Sequence, residues 1–154
     1  MGNYNKSTRD RVADINTGIR VDRATSLVRD KAIFNVKGGR VLLVNVLGDV
    51  TTAMHGTPNA TKLTHDATNG TVVDLCDTLD LNACAQYSLL SITGAVADNM
   101  TKAESAIRGM SIPVILNVGQ VKIDRSADVS GSVAWSVWYV PLEDGAYMDV
   151  EPDA

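Results

Sequence analysis

Two histidines, two cysteines and a string of aspartates are the residues of this sequence that could do chemistry. His55 and His65 could bind a metal, but neither has a second ligand at a metal-site spacing such as HxxxH. No GxSxG, GxxxxGK[ST] or GxGxxG motif occurs, so the usual scaffolds for nucleophilic catalysis and phosphate binding are missing. We therefore predict no catalytic residue, no metal and no cofactor, and we expect that the protein is not an enzyme.

The aspartates could act as an acid–base pair or hold a cation. On a strand that rises about 3.3 Å per residue, Asp74 and Asp80 would lie about 20 Å apart, too far to share one ion or to form the carboxylate pair of a glycosidase. A solvated outer face is the expected role. Cys76 and Cys84 lack CxxC spacing and are predicted to be small buried hydrophobic residues, with a disulfide or a metal role as the alternative.

Basic residues are concentrated at the N-terminus. Residues 1–31 carry seven basic residues and four aspartates, a net charge of +3, whereas the remainder carries −7. A basic arm on an acidic body indicates that the arm, residues 1–30, binds something negative. Arginine makes bidentate contacts with carboxylates, so a protein partner is expected. The arginines assigned to this contact are Arg9, Arg11, Arg20, Arg23 and Arg29.

Nucleic acid and membranes are not predicted partners. The body is acidic and has no basic stripe interleaved with aromatic residues. Apolar runs such as VLLV at 41–44 are far shorter than the roughly 18 residues of a membrane helix. The N-terminus MGNYNKSTRD has no apolar core of a secretion signal, so we expect folding in a cytoplasm.

From residue 31 onward, alternating apolar residues and turn signals predict short β-strands. The expected strands are at 31–36, 40–52, 62–67, 71–81, 85–93, 112–118, 121–123 and 131–140. The strand over 40–52 has apolar residues on both faces, which is typical of a central strand covered on both sides. Asn69-Gly70 is the strongest hairpin signal, and the change of phase at Gly119 indicates a bulge or a tight turn.

One stretch has helical spacing. Val96, Met100, Ala103 and Ile107 recur at intervals of four, three and four, and Asp98 could cap a helix of a turn or two.

The last strand carries a tryptophan on each face. Its predicted core face is Val133, Trp135, Val137 and Tyr139. The other face is polar enough to point outward, yet it contains Trp138 and Val140. Because a tryptophan side chain presents about 150–250 Å² that prefers to leave water, we assign Trp138 and Val140 to a subunit interface.

These patterns predict an all-β protein, an antiparallel β-sandwich or jelly roll with an extended N-terminal arm and at most one short helix. The predicted organisation is an arm at 1–30, a sandwich domain at 31–146 and an acidic tail at 147–154.

The sequence also resembles a family of known proteins. The stretches GGRVLLVNVLGDVTTA (38–53), TVVDLCDTLDL (71–81), SITGAVADNM (91–100) and GSVAWSVWYVPLEDGA (131–146) resemble small virion proteins of tailed bacteriophages, the capsid decoration or cement proteins. The resemblance covers most of residues 38–146 and leaves out the N-terminal arm. It departs from the family in the longer charged N-terminus and in Cys84.

The resemblance implies a structural protein of the virion surface, assembled in the host cytoplasm. Its implied partners are the major capsid protein and further copies of itself, as a dimer or trimer. The alternatives are a head-fibre or tail-tube structural protein, or a carbohydrate-binding β-sandwich module. A sugar binder is expected to line up several exposed aromatic residues, whereas Trp138, Tyr4, Tyr87 and Tyr147 are the candidates in this sequence.

Overall fold

All regular secondary structure in the described residues is β. The computed structural model describes residues 18–26 and 30–152. The strands are β1 (Ile19–Ser26), β2 (Lys31–Lys37), β3 (Val41–Gly56), β4 (Ala60–Ala67), β5 (Val72–Asp74), β6 (Leu79–Asp80), β7 (Leu89–Ser91), β8 (Thr101–Ala103), β9 (Val114–Leu116), β10 (Gly119–Arg125), β11 (Val129–Pro141) and β12 (Tyr147–Val150). Within these ranges there is no helix long and apolar enough to cross a membrane.

The strands form two six-stranded sheets, and every pair of strands within them is antiparallel. Sheet A has the order β1-β11-β3-β7-β8, with β9 also paired to β3. Sheet B has the order β12-β2-β10-β4-β5, with β6 also paired to β4. One hydrophobic core contains residues from both sheets, which confirms the predicted antiparallel sandwich.

The core is filled by the inward faces of the long strands. All four residues of the predicted core face of β11 are buried: Val133, Trp135, Val137 and Tyr139. On β3 the buried positions change phase, from Val41 and Leu43 to Val46 and Val50, because the register with β11 shifts opposite Trp138 and Tyr139. This irregularity places two successive residues of β3, Val44 and Asn45, opposite one residue of β11.

The sandwich extends beyond the predicted limits of 31–146 at both ends. Strand β1, predicted to be part of the arm, pairs with β11 along its whole length, and β12, predicted to be part of the tail, pairs with β2. Without these strands the backbone groups along one side of β11 and β2 would have no partner, which explains why the flanking segments join the sheets. The arginine-rich composition concealed the alternation of Ile19 and Val21, which pack against the core.

The predicted helix after residue 94 is wrong. The chain there forms loops and the short strand β8, which pairs with β7. The Met100 N–H donates to the Asp77 carbonyl and the Asp77 N–H donates to the Asp98 carbonyl, so this part of the segment is hydrogen-bonded to the neighbouring loop and not within a helix. The predicted strand at 71–81 is also interrupted, forming β5 and β6, and Cys76 lies in the core between them.

Three turns follow the glycine signals. Asn69-Gly70 joins β4 to β5 as a hairpin, as predicted. Gly38, at a φ of 74°, lies in the turn from sheet B to sheet A, where a Cβ atom would overlap the carbonyl oxygen of Gly145. The change of phase at Gly119 marks the end of the two-residue connection at 117–118, by which the chain crosses from β9 in sheet A to β10 in sheet B.

Both cysteines are buried and unbonded to each other, in agreement with the prediction that they are small hydrophobic residues. The Cys76 thiol accepts a hydrogen bond of 3.5 Å from the backbone N–H of Leu63. Burial raises the pKa of Cys76, so its thiol stays protonated near neutral pH.

A buried polar cluster lies at one end of sheet B. The Arg125 guanidinium donates to Thr61 Oγ1 at 3.2 Å and to Asn59 Oδ1 at 3.0 Å. The backbone N–H of Asn59 in turn donates to Asp80 Oδ1 at 3.0 Å, and hydrogen bonds from the backbone at Asn59 and Asn82 lower the pKa of Asp80. The cluster satisfies polar groups that would otherwise be costly to bury.

The buried imidazole of His65 makes the stability of the fold depend on pH. Neither ring nitrogen has a hydrogen bond of good geometry within the described chain, although the backbone at Asn117 and Gln120 lies close by. Burial lowers the pKa of His65 below its ordinary value of about 6.5, and this outweighs the raising effect of the two backbone groups. The unfolded chain therefore takes up a proton at a higher pH than the folded chain does.

We expect the free energy of unfolding to have its full value above about pH 6.5 and to fall as the pH decreases below that value. Urea unfolding at about pH 7.5 and about pH 5 measures this as a lower midpoint at the acid pH. In His65→Gln the difference between the urea midpoints at the two pH values should be smaller. In His55→Gln, at an exposed position of β3, this difference should equal that of the wild type. An equal pH dependence in wild type and His65→Gln would contradict this role for His65.

Candidate interaction surface

The outer face of sheet B carries a set of paired charges, with exposed Val72 and Tyr147 on its two edge strands. Three lysines on its strands form ion pairs with aspartates at 2.5–2.9 Å: Lys37 with Asp149, Lys62 with Asp74 and Lys122 with Asp66. Hydrogen bonds to the aspartates raise the pKa of Lys37 and Lys62. Such a face is well solvated, and this side of the sandwich is suited to contact with water.

The outer face of sheet A is different, because apolar side chains lie side by side across three strands. Ile115 on β9 is paired with Leu42 on β3, and Leu42 is paired with Val140 on β11. We call these three residues the apolar row. Ile115 is 61% exposed, Leu42 and Val140 are half-buried, and exposed Leu142 follows just beyond the end of β11. Apolar patches of this kind on a soluble protein often mark sites of interaction.

Trp138 lies beside the apolar row and is partly covered by its own chain. The Arg20 guanidinium stacks over the Trp138 indole, 5.3 Å from the ring centroid. Gly18 lies against the same region, since a Cβ there would be 3.2 Å from Trp138 Cβ and 3.0 Å from Val44 Cγ2. Trp138 therefore points outward, as predicted, but it contacts Arg20 and is only half-exposed.

The Arg20 side chain is held in this position by a small polar network. Its Nε donates to Asp22 Oδ1 at 2.7 Å, and Ser136 Oγ donates to the same oxygen at 2.5 Å. The hydrogen bonds from Ser136 and Arg20 lower the pKa of Asp22. The charge of Arg20 is thus already paired, and the exposed network lies at one border of the apolar surface.

Arg23 occupies the opposite side of β1 from Arg20 and is 6% exposed. Its Nη1 donates to the carbonyl oxygens of Ala32 and Ile33 on β2, at 2.9 and 3.1 Å. Strand β12 pairs with the part of β2 that begins at Phe34. The Arg23 guanidinium binds the part of β2 before Phe34, which β12 does not cover. Arg23 therefore joins the two sheets, and its burial does not favour the predicted role in binding a partner, which stays a prediction.

The structure brings together residues that the sequence assigned to separate roles. Arg20, assigned to the arm, and Trp138, assigned to an interface, are in direct contact. Arg9, Arg11 and Arg29 lie outside the described residues. Sequence reasoning missed Ile115. It could have been found because it is apolar and adjacent to buried Leu116, so on a strand it must point to the outer face.

The residues singled out for chemistry are engaged elsewhere. His65 is buried, Asp74 pairs with Lys62, and Asp80 accepts hydrogen bonds from the backbone. In the ranges 18–26 and 30–152, no group of three or more His, Cys, Asp or Glu residues is arranged to hold a metal ion.

The contrast between the two outer faces is the clearest functional feature of the described chain. No protein-family model matches the sequence, and comparisons with curated proteins and with solved structures give no match.

Proposed function

We propose that this protein is a structural component of a bacteriophage virion that attaches to the outside of the capsid and stabilises the shell as a cement or decoration protein. Its partner is then the major capsid protein, its location is the capsid surface, and it performs no catalytic step. The observation that carries the proposal is the difference between the apolar row on the outer face of sheet A and the ion pairs on the outer face of sheet B.

A protein that forms a layer on a large surface needs one adhesive side and one solvated side. Apolar contact supplies most of the favourable free energy of association, because it removes apolar area from water. A face of paired charges resists association, since its groups would have to lose their hydration. The two sheets of this sandwich present these two kinds of surface on opposite sides of one small domain.

The N-terminal arginines support the same proposal. The Arg20 side chain pairs with Asp22 but is still 57% exposed at the border of the apolar surface, and Arg9 and Arg11 precede it in the chain. Carboxylates of a shell protein could accept bidentate hydrogen bonds from such arginines. The resemblance of residues 38–146 to capsid decoration proteins is the sequence argument for a phage shell as the surface.

The test is co-sedimentation of the purified protein with empty heads of the phage that encodes it, assembled without this protein. We expect saturable binding by the wild type at physiological salt. Ile115→Lys should bind at least tenfold more weakly, a loss of about 1.4 kcal/mol, because it places a charge in the apolar row. That residue is exposed, so the folded sandwich should tolerate the substitution.

Val72→Lys is the matched control. Val72 is 56% exposed, close to the exposure of Ile115, but it lies on β5 at the edge of sheet B. Its binding to heads should equal that of the wild type. Failure of the wild type to bind heads would contradict the proposed function, and equal binding by Ile115→Lys would contradict the assignment of the attachment face.

A further inference from the structure

The hairpin between β4 and β5 exposes a pair of residues with a chemistry of their own. Asn69 is followed by Gly70, and of the ten asparagines in the sequence it alone precedes a glycine. Both residues are exposed at the turn. The side-chain amide of an asparagine can be attacked by the backbone nitrogen of the next residue. This attack is easiest at glycine, which has no Cβ to obstruct the approach and adopts many backbone conformations.

The fold leaves both reacting groups available. In the ranges 18–26 and 30–152, no hydrogen bond holds the Asn69 side chain. This side chain lines a cleft of about 360 Å³, which gives it room to turn. The Gly70 N–H donates to the Ala67 carbonyl oxygen at 3.3 Å, longer than the usual distance of about 2.9–3.0 Å, so the Gly70 nitrogen is weakly held.

The other asparagines of the described ranges are all followed by a residue that has a Cβ: Asn35, Asn45, Asn59, Asn82, Asn99 and Asn117. Some are also held by hydrogen bonds, as is Asn99, whose Nδ2 donates to the Thr78 carbonyl oxygen at 2.6 Å. Asn117 is the natural counterpart of Asn69, because it is exposed and lines the same cleft. The residue after it is Val118, whose branched side chain crowds the backbone nitrogen.

From these features we propose that Asn69 is a site of spontaneous deamidation in the folded protein. The Gly70 nitrogen attacks Cγ of Asn69, a bond forms between these two atoms, and the bond between Cγ and Nδ2 breaks. The NH2 group leaves with the Gly70 amide proton as ammonia, and a five-membered succinimide ring remains. Water then opens the ring at either of its two carbonyl groups, which leaves an aspartate or an isoaspartate at position 69. Nothing is oxidised or reduced, and the co-reactant is water.

Both products change the hairpin. Each adds a negative charge to the cleft, and the isoaspartate also adds a CH2 group to the backbone. The turn is fixed on both sides of Asn69, because the Thr68 N–H donates to the Val118 carbonyl oxygen at 2.9 Å and Val72 pairs with Asp66. The length of a hairpin loop sets the register of its strands, so the longer backbone should weaken the pairing of β5 with β4.

The full chain, incubated for days in mildly alkaline buffer, tests the proposal without phage heads, so its outcome is independent of the proposed function. After digestion and mass spectrometry, the peptide with Asn69 should show the mass change from an amide to a carboxyl group, in two forms that chromatography separates. Fragmentation assigns the position. The product should accumulate at least tenfold faster at Asn69 than at Asn117, a difference in barrier of about 1.4 kcal/mol. Equal rates at the two positions, or no product at Asn69, would overturn the proposal.

Two further samples separate the effect of the next residue from that of the fold. Gly70→Ala places a Cβ 3.2 Å from Ala67 Cβ, a contact that a small adjustment relieves, and it should slow the reaction at Asn69 at least tenfold. An unchanged rate in this variant would show that the Gly70 nitrogen is not the attacking group. The wild type unfolded in urea gives the rate without the hairpin. If Asn69 reacts in urea but stays intact in the folded chain, the hairpin protects it and the proposal is wrong.

Discussion

Trp135→Ala should lower the free energy of unfolding by about 3–5 kcal/mol, the range for truncation of a large core side chain. Trp135 is 1% exposed and packs closely against β3, where a Cβ at Gly48 would lie 2.9 Å from its Cζ3 atom. The truncation removes apolar contacts and leaves a cavity that the surrounding sheets can close only in part. Urea unfolding followed by circular dichroism measures the loss as a lower midpoint at an unchanged slope.

Trp138→Ala is the matched control, because it removes the same side chain from the other face of the same strand. Trp138 is half-buried, and its main described partner is the Arg20 guanidinium. We expect a loss of about 1 kcal/mol, the scale of an exposed cation–π contact. Equal losses of stability in the two variants would contradict the assignment of Trp135 to the core and Trp138 to the surface.

Arg23→Ala should lower the free energy of unfolding by about 2–3 kcal/mol, although the sequence assigned this residue to partner binding. Its Nη1 atom donates to two carbonyl oxygens of β2, and we count this shared donor as one hydrogen bond from a charged group, which contributes about 1.5–3 kcal/mol. The truncation leaves Ala32 without this donor and removes a link between the sheets. Thermal and urea unfolding of the variant measure the effect.

Arg20→Ala is the control that tests whether the loss of stability is specific to Arg23 or follows from removing any arginine of β1. Arg20 is exposed, and exposed ion pairs contribute only about 0–1 kcal/mol. This variant should keep nearly the stability of the wild type. If Arg23→Ala kept full stability and instead lost binding to phage heads, the sequence prediction for Arg23 would be right and our structural role for it wrong.

The sequence by itself determined the class of fold and the inner face of the last long strand, β11. In β11 the alternation of Val133, Trp135, Val137 and Tyr139 predicts the core because successive side chains of a strand point to opposite sides. The Asn69-Gly70 hairpin was predicted from the turn preference of these residue types, and the turn at Gly38 has the positive φ that glycine adopts readily. The burial of both cysteines also follows from residue type and spacing.

The tertiary structure decided which segments join the sheets and what the outer faces become. Arg20 and Arg23 are three residues apart and chemically identical, yet one is exposed over Trp138 and the other is buried between the sheets. The alternation of β1 puts Arg23 on the side of Ile19 and Val21 and puts Arg20 on the other side, but which side becomes buried depends on the pairing of β1 with β11 and on its contacts with β2 in the other sheet. The apolar row has the same origin. Ile115, Leu42 and Val140 lie in three separate stretches of sequence, and only the order of strands in sheet A, set by long-range pairing, places them side by side.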